Sequence, residues 1–443
     1  MSLEFDAADV ERAADAEQAA LQALGVTAGD SIGWLAHNSG RSLALLTACR
    51  RLGARWVPLN WRLAPAELAF IVQHAGLQLL LHDDANAGLA AQVRALAPLP
   101  QPRAPGHQAG DLMLVYTSGT TGQPKGAIHT VAGMQANIAA AIDAQGFNAG
   151  TRVLAVLPMF HVGGLCIQVL PALAAGGRVK LQARFDPAAW LHDVATWRPS
   201  TSLLVPAVMR AVVEHPAWPT ADLSSLQFIN CGSQVVPQAL IQAFHNRGIP
   251  VAQVYGGTET GPVSIVLRPQ DAMAQVGHCG QPALGVQVKL AADGEVLLKA
   301  ANLMRGYHRS EQPSFDADGW FHTGDLAVRH ADGSYQVVGR SKELIISGGE
   351  NIHPAEIENL LAQHPDIAEC CVIGLPDARW GEVPVLVLVA RAGRHVDEPA
   401  LRALFDRSLA RFKHPRRIVV AEQLPKTALG KVQRSALTAQ LAS

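Results

Sequence analysis

The apolar positions in the first part of the chain predict strands that alternate with helices. The run SIGWLA, which starts at Ser31, is short and apolar, as in a buried strand. It is followed by RSLALLTACRRL, whose apolar residues recur at helical spacing up to Gly53. The alternation continues through ARWVPLN, PAELAFIVQHAG and LQLLLHD. Strands interleaved with helices indicate a parallel sheet with both faces covered.

The alternation returns at Asp186, which we expect to cap a helix that has Pro187 in its first turn. Strands and helices then follow in turn: TSLLVP, AVMRAVVEHP, LQFINCGS, PQALIQAFHNRG and IPVAQVYGG. Beyond about Gly280 the pattern changes to short strands joined by turns, as in GVQVKLAADGEVLLKA and YQVVGR. This change predicts a smaller β-rich subdomain.

The segment after Arg340 carries its own set of elements. Two helical patterns, PAEIENLLAQH and EPALRALFDRSLARF, accompany two or three strand patterns, AECCVIGL, VPVLVLVA and RRIVVAE. We therefore predict an α/β protein of two domains. The N-terminal domain, residues 1–340, would hold parallel-type sheets with helices plus the β-rich subdomain. A small, mobile α+β C-terminal domain would occupy residues 341–443.

Composition and charge narrow the class of protein. Hydrophobic residues make up 49% of the chain and charged residues 16%, which is typical of a compact globular protein. The 36 basic and 37 acidic residues nearly cancel, so no overall field attracts nucleic acid, and we expect no nucleic-acid partner. The six cysteines form no CxxC motif, and the acidic N-terminus does not resemble a signal peptide. These features favour a cytoplasmic protein with reduced thiols.

One uncharged stretch, residues 153–177, is long enough to span a bilayer. It contains Pro158, Pro171 and the Gly163-Gly164 pair, which favour a buried loop followed by a core helix. We therefore predict no integral membrane segment.

The first candidate for chemistry is the loop YTSGTTGQPKGA at residues 116–127, directly after the apolar run LMLV. Glycines expose backbone N–H groups, hydroxyls add donors, and Lys125 adds a positive charge, as a bound phosphate chain requires. The alternative is an ordinary polar turn. The GxxxxGK[ST] pattern fails because Gly126 follows Lys125, which argues against kinase-like and GTPase-like proteins.

Four further segments need to be considered together with this loop. VYGGTETG presents Tyr255 and Glu259 at the end of a strand, where open α/β sheets bind ligands. DGWFHTGDLA places Asp325 in a turn. GRSKELIISGGENIHPAEIE spans the predicted domain boundary, and PKTALGKVQR sets Lys431 on a glycine-containing loop. Each alone has an ordinary explanation, as a turn, a solvated linker or a solubilising lysine.

In this order the five segments resemble the adenylate-forming (AMP-binding) superfamily, which includes acyl-CoA synthetases, adenylation domains of peptide synthetases and firefly luciferase. The resemblance runs from about residue 20 to residue 440. The C-terminal stretches SGGENIHPAEIE, DARWGE, FKHPRR and LPKTALGK are most similar to 4-chlorobenzoate-CoA ligase.

The resemblance implies an ATP-dependent carboxylic acid:CoA ligase that forms an acyl-CoA through an acyl-adenylate and releases AMP and pyrophosphate. Its acid would be fatty or aromatic, its cofactor Mg²⁺, its cosubstrates ATP and CoA, and its state a monomer or homodimer. Two alternatives stay open: an acyl-AMP ligase that loads a carrier protein, and an inactive nucleotide-binding relative.

The resemblance also implies roles for individual residues. The nucleotide would be bound by Thr117, Ser118, Gly119, Thr120, Thr121, Lys125, Tyr255, Asp325 and Arg340. The catalytic set would be Thr258 at the α-phosphate, Glu259 as the Mg²⁺ ligand, His161 near the acyl pocket and thiol path, and Lys431. Lys342 would be the hinge between two orientations of the C-terminal domain. CoA would contact Gly348, Gly349, Trp380, Phe412 and Arg416.

Gly232 and Gly257 would line the acyl pocket. Gly257 stands where relatives carry a larger residue, which predicts a roomier pocket base.

Overall fold

The computed structural model describes residues 4–102, 107–117, 124–233, 236–311, 313–348, 350–362, 364–427 and 430–441. The helices of this part are α1 Ala7–Ala23, α2 Gly40–Leu52, α3 Pro65–Ala75, α4 Ala87–Leu96, α5 Val131–Gln145, α6 Val162–Cys166, α7 Val169–Ala174, α8 Pro187–Trp197, α9 Pro206–Val213, α10 Gln238–His245, α11 Pro354–Leu361, α12 Glu398–Ser408 and α13 Arg434–Leu441.

The strands up to the middle of the chain are β1 Glu4–Phe5, β2 Ser31–Leu35, β3 Arg55–Leu59, β4 Leu77–His82, β5 Asp111–Thr117, β6 Lys125–Thr130, β7 Arg152–Ala155, β8 Arg178–Leu181, β9 Thr201–Leu204, β10 Phe228–Gly232, β11 Val251–Tyr255 and β12 Ile265–Val266. The later strands are β13 Gln281–Pro282, β14 Gln287–Leu290, β15 Glu295–Lys299, β16 Gly306–Tyr307, β17 Phe321–Arg329, β18 Tyr335–Arg340, β19 Ile345–Ser347, β20 Glu350–Ile352, β21 Ile367–Asp377, β22 Gly381–Ala390 and β23 Arg417–Val420.

Two large sheets form the first part of the molecule. One has the order β4-β2-β3-β5-β6-β16, and its strands from β4 to β5 are parallel. The other has the order β1-β8-β7-β9-β10-β11-β12-β13, and its strands from β8 to β11 are parallel. Both belong to the α/β class predicted from the alternating pattern, which is confirmed. The carboxyl ends of β10 and β11 lie side by side because these two strands are parallel neighbours.

The local signals in the sequence place several helix ends correctly. Gly53 follows α2 with a left-handed φ of 68°, a conformation that glycine adopts without steric cost. Asp186 caps α8, and its side chain accepts a hydrogen bond from the backbone N–H of Ala189 at 2.8 Å. Pro65 opens α3 at a position where its missing N–H costs nothing.

Two smaller sheets follow. Strands β14, β15, β17 and β18 form an antiparallel sheet that ends at Arg340, which matches the β-rich subdomain. A last sheet, β20-β19-β22-β21 with β23 beside β22, begins at Ile345 and packs with α11, α12 and α13. The division into residues 1–340 and 341–443 stays a prediction, and it falls in the short connection between these two sheets.

The structure corrects three local predictions. Asp325 lies within β17 and not in a turn, because it pairs across the sheet with Arg340 on β18. Residues 153–177 form β7, α6 and α7, so a strand precedes the short helices. Helix α13 was not predicted. Within the described ranges, no helix combines the length and the hydropathy needed to cross a membrane.

Candidate active site

A cavity of about 540 Å³ lies between the sheets that precede Arg340 and the elements that follow it. The residues of both parts that line it include Gly232, Tyr255, Asp325, Arg340, Glu343, Glu358, Lys431 and Arg434. The structure therefore brings Lys431 to the same cavity as three of the predicted nucleotide residues, although Lys431 and Tyr255 are far apart in the chain.

Tyr255, Asp325 and Arg340 form one hydrogen-bonded group at this cavity. Tyr255 ends β11 and donates its hydroxyl to Oδ2 of Asp325 at 2.9 Å. Nε of Arg340 lies 2.8 Å from Oδ1 of the same carboxylate. Burial and the negative charge of Asp325 hold the pKa of Tyr255 well above its usual value. Burial disfavours the charge of Arg340, but Asp325 and Glu343 outweigh that effect and raise its pKa.

Lys431 lines the same cavity as this group. Its loop is closed by two hydrogen bonds with Thr427: the Thr427 N–H donates to the Lys431 carbonyl at 2.7 Å, and the Lys431 N–H donates to Thr427 Oγ1 at 3.2 Å. Burial, together with the positive charge of Arg340, lowers the pKa of the Lys431 ammonium. Glu343 and Asp325 act in the opposite direction.

A second group surrounds Glu259, which sits in a short 3₁₀ turn after β11. Its Oε1 accepts a hydrogen bond from the Tyr307 hydroxyl at 2.8 Å and a longer one from Thr117 Oγ1 at 3.4 Å. Burial and the charge of Glu259 raise the pKa of Tyr307. The ammonium of Lys125 lies over the Tyr307 ring, 5.2 Å from its centroid. Lys125 and Glu259 therefore meet at one tyrosine.

The predicted phosphate loop is anchored at both ends. Thr117 ends β5, Lys125 begins the antiparallel β6, and the two residues face each other across the strands. Residues 118–123, with the predicted Ser118, Gly119, Thr120 and Thr121, lie outside the described part of the chain, as does Gly349. Within the described part, no three or more His, Cys, Asp or Glu side chains cluster as a metal site would require.

The two predicted acyl-pocket glycines differ in their surroundings. A Cβ at Gly232 would lie 2.3 Å from the Val254 carbonyl oxygen on β11, so only glycine fits between these strands. A Cβ at Gly257 would meet only Oε2 of Glu259, at 3.4 Å. Gly232 and Gly256 line the cavity, and the predicted Gly257 does not. Thr258 is partly exposed in the same 3₁₀ turn as Glu259.

His161 lies apart from the cavity, at the N-terminus of α6. Its ring packs on Phe160 with 4.6 Å between the centroids. Burial and the nearby charge of Arg62 lower the pKa of His161 to about 4, so the ring is neutral at pH 7. Its Nε2 is inaccessible to water and makes no hydrogen bond with the described residues.

Three of the predicted CoA residues, Gly348, Trp380 and Arg416, lie close together in the C-terminal part. The guanidinium groups of Arg379 and Arg416 both lie over the Trp380 ring, at 4.9 and 5.5 Å from its centroid. Trp380 is 36% exposed and Phe412 40%, so neither is an ordinary packing residue. Gly348, with a φ of 61°, lies so close to Trp380 that a Cβ would be 2.7 Å from the indole ring.

The predicted hinge, Lys342, is exposed in the 3₁₀ turn Ser341–Glu343 that joins the last two sheets. None of the described CoA residues lines the cavity that holds Lys431.

Sequence reasoning missed three residues at this site: Tyr307, Glu343 and Arg434. Tyr307 binds Glu259, and Arg434 binds Glu343 beside Lys431. Tyr307 lies 48 positions from Glu259, and Arg434 lies 91 from Glu343. No local pattern links residues so far apart; the nearest signal was the position of Arg434 only three residues after Lys431.

Comparison with known proteins shows the family to which the chain belongs. Residues 6–308 match the AMP-binding enzyme family, and residues 356–431 match the AMP-binding enzyme C-terminal domain. The chain is 40% identical to an indoleacetate–CoA ligase of Aromatoleum aromaticum over 94% of its own length and 89% of that protein. It is 36% identical to a feruloyl-CoA synthase of Amycolatopsis over 93% of its own length and 89% of that protein.

Solved structures agree as well. The anthranilate CoA ligase AuaEII in complex with anthranoyl-AMP superimposes with a TM-score of 0.88 at 26% identity, covering 97% of this chain and 91% of that one. ATP-bound MatB from Rhodopseudomonas palustris gives 0.89 at 26% identity, with 98% and 93% covered. The chain therefore belongs to the AMP-binding enzyme family, and the adenylate-forming superfamily inferred from its five motifs is confirmed.

Proposed function

We propose that this protein is an ATP-dependent carboxylic acid:CoA ligase that forms an acyl-adenylate and then an acyl-CoA. The observation that carries the proposal is the placement of Lys431 in one cavity with Tyr255, Asp325 and Arg340. A lysine that reaches this group from the C-terminal part is positioned to act on a nucleotide held there. The relatives named as CoA ligases support the second step.

In the first step a carboxylate oxygen of the acid attacks the α-phosphorus of ATP, and the bond to pyrophosphate breaks. Two anions approach each other, so positive charge aimed at the phosphoryl oxygens lowers the barrier. Lys431 supplies that charge in a buried setting, where electrostatic interactions are stronger than in water. No general base is needed because the attacking carboxylate is already ionised.

Asp325 and Tyr255 fit the nucleoside. The Asp325 carboxylate can accept hydrogen bonds from ribose hydroxyls, and Arg340 holds it in a fixed orientation at 2.8 Å. Tyr255, tied to Asp325 through its hydroxyl, would present its ring to the adenine. Thr258 would contact the α-phosphate, and Thr117 and Lys125 would hold the outer phosphates.

Glu259 fits the role of Mg²⁺ ligand. Mg²⁺ is commonly held by one or two carboxylates together with substrate phosphates, and it would neutralise charge on the phosphates. Tyr307 fixes Oε1 of Glu259, and the carboxylate lies near Thr117 at the start of the phosphate loop. This arrangement suits a metal ion whose remaining ligands would come from the phosphates of the nucleotide.

In the second step the CoA thiolate attacks the acyl carbon of the adenylate, and AMP leaves. We place the CoA contacts at Gly348, Gly349, Trp380, Phe412 and Arg416. Because these residues lie away from the cavity, the C-terminal domain, residues 341–443, would have to rotate about Lys342 between the two steps. The orientation in the structure suits the first step, since Lys431 lines the cavity.

The acid, in our proposal, carries an aromatic ring. The indoleacetate and feruloyl names of the two relatives support this class. His161 and the glycines Gly232 and Gly257 would line its pocket. Fatty acids form the comparison class, because a relative at 32% identity is named as a medium/long-chain-fatty-acid–CoA ligase. We further propose a cytoplasmic protein that works as a monomer or homodimer.

The test measures AMP formation over a panel of indole-acetic, cinnamic, benzoic, fatty and dicarboxylic acids, with and without CoA. We expect AMP release that requires an aromatic acid and CoA and that collapses in Lys431→Ala. Acid-dependent pyrophosphate exchange without any use of CoA would replace the proposal with a carrier-protein-loading enzyme. No AMP with any acid would leave an inactive nucleotide-binding relative.

A further inference from the structure

Arg434 is the centre of an ion-pair network next to the candidate catalytic lysine. It begins α13, three residues after Lys431. Its guanidinium binds Glu358 on α11 in a fork, with Nη1–Oε1 at 3.0 Å and Nη2–Oε2 at 2.9 Å. Its Nε donates to Oε2 of Glu343 at 3.0 Å. Arg434 therefore holds two carboxylates at once, and bidentate pairing of this kind is strong.

Glu343 is the carboxylate that matters for Lys431. It follows the predicted hinge Lys342 directly and lines the same cavity as Lys431. Glu343 and Asp325 are the acidic groups that act most strongly on the Lys431 ammonium. Each of them is already paired with an arginine, Asp325 with Arg340 and Glu343 with Arg434. Among the described residues, the ammonium of Lys431 forms no ion pair or hydrogen bond of its own.

We propose that Arg434 is a positioning residue that occupies Glu343 and thereby keeps the Lys431 ammonium available for the phosphate of the nucleotide. Without Arg434, Glu343 would be an unpaired, partly buried carboxylate in the same cavity as the partly buried ammonium of Lys431. The two charges would then attract each other, because water solvates each of them only in part. The lysine would then be held by the protein instead of by the substrate. This inference rests on the proposed function of Lys431 in adenylate formation.

The experiment compares Arg434→Gln with two double variants. The two double variants have the same net charge as each other. The first double variant adds Glu343→Gln, which removes the competing carboxylate. The second adds Glu358→Gln, which removes the other partner of Arg434 and is the matched control. The readout is acid-dependent pyrophosphate–ATP exchange, with kcat and KM for the acid measured separately. Glu343→Gln alone is measured as well, as the reference for the double variant that contains it.

We expect Arg434→Gln to lower kcat of exchange about tenfold or more with little change in KM, a size typical of coupled neighbouring side chains. Adding Glu343→Gln should return kcat to within about threefold of the Glu343→Gln baseline, whereas adding Glu358→Gln should not. Equal rates in the two double variants would overturn the proposal, because a purely structural role of Arg434 predicts no preference for Glu343.

A second readout does not depend on activity. The rate at which acetic anhydride modifies Lys431, followed by peptide mass spectrometry, reports how much free amine is present. It should fall in Arg434→Gln, recover with Glu343→Gln and stay low with Glu358→Gln. If the acetylation rates follow this order but the protein shows no acid-dependent exchange, the proposed function is wrong and the role of Arg434 stands. If the acetylation rates do not follow this order, the role proposed for Arg434 is wrong. If Arg434→Gln does not fold, as judged by thermal unfolding, Arg434→Met, which also removes the positive charge and keeps a long side chain, replaces it in the same series.

Discussion

Single contacts at the candidate site connect residues whose roles are otherwise known only by resemblance. The hydrogen bond from Tyr307 to Glu259 is the clearest case, since it fixes one oxygen of the only carboxylate we assign to Mg²⁺. A hydrogen bond to a charged group contributes about 1.5–3 kcal/mol. The hydroxyl of Tyr307 should therefore influence how well the metal is held.

Tyr307→Phe removes this hydroxyl and leaves the ring under Lys125. We expect the Mg²⁺ concentration at half-maximal exchange to rise about tenfold, with a smaller change in KM for the acid. The matched control is Tyr116→Phe, whose hydroxyl bonds His74 Nδ1 at 2.8 Å and has no contact with Glu259. An equal shift in both variants would refute a specific role of Tyr307.

The lowered pKa of Lys431 leads to a prediction about pH. In the proposed reaction the charged ammonium of Lys431 stabilises the phosphoryl oxygens, so the rate of adenylation should fall as pH rises through this pKa. Because the pKa is lowered, the alkaline fall should be centred below 10.5, the ordinary lysine value. The kcat of exchange between pH 7 and 10.5 tests this. In Lys431→Arg the guanidinium stays charged, so the fall due to this group should vanish from whatever activity remains. An alkaline fall of kcat with its midpoint at pH 10.5 or above would contradict the lowered pKa of Lys431.

At the scale of elements, the pairing of β10 with β11 determines the shape of the cavity wall. A Cβ at Gly232 would press on the Val254 carbonyl oxygen at 2.3 Å. We expect Gly232→Ala to lower the free energy of unfolding by about 1–3 kcal/mol, as overpacking of a core does. Gly88→Ala in α4, where a Cβ would meet nothing within 4 Å, is the control and should be neutral or stabilising by up to about 1 kcal/mol. Urea unfolding measures both, and equal effects would exclude the strand clash.

The sequence predicted elements whose signals are local. Gly53 and Asp186 marked helix ends because capping and left-handed turns depend on the residue itself. Asp325 was placed in a turn because its strand is specified by Arg340 on the neighbouring strand and not by its own neighbours. Prediction of the site is limited in the same way. The motif residues could be predicted from the resemblance to the family, whereas the pairing of Glu343 with Arg434 depends on the tertiary fold.

At the scale of the whole molecule, one ion pair among the described residues joins the parts of the chain before and after Arg340. Arg391 Nη1 lies 3.4 Å from Glu214 Oε1, and both side chains are largely exposed, so this ion pair contributes at most about 1 kcal/mol. A Cβ at Gly430 would touch Ala207 at 3.7 Å. An interface with one weak ion pair is compatible with a predicted C-terminal domain that changes orientation during the reaction.

This organisation predicts that the two half-reactions can be separated. Lys431→Ala should lower pyrophosphate–ATP exchange by about 10²-fold or more, yet still convert supplied acyl-adenylate and CoA to acyl-CoA. Trp380→Ala should leave exchange largely intact and raise KM for CoA about tenfold, through loss of the ring that contacts two arginines. Parallel losses of both half-reactions in each variant would contradict the assignment of the two faces.

The cavity between the two parts of the chain has a thermodynamic consequence. A ligand that touches both walls binds only where both parts are folded, so its binding free energy stabilises each of them. Without a ligand, we expect the two predicted domains to unfold at separate temperatures. With the adenylate bound, melting of either part releases the ligand and weakens the other. We therefore expect a ligand in this cavity, which is lined by both parts of the chain, to make the two predicted domains unfold as one cooperative unit.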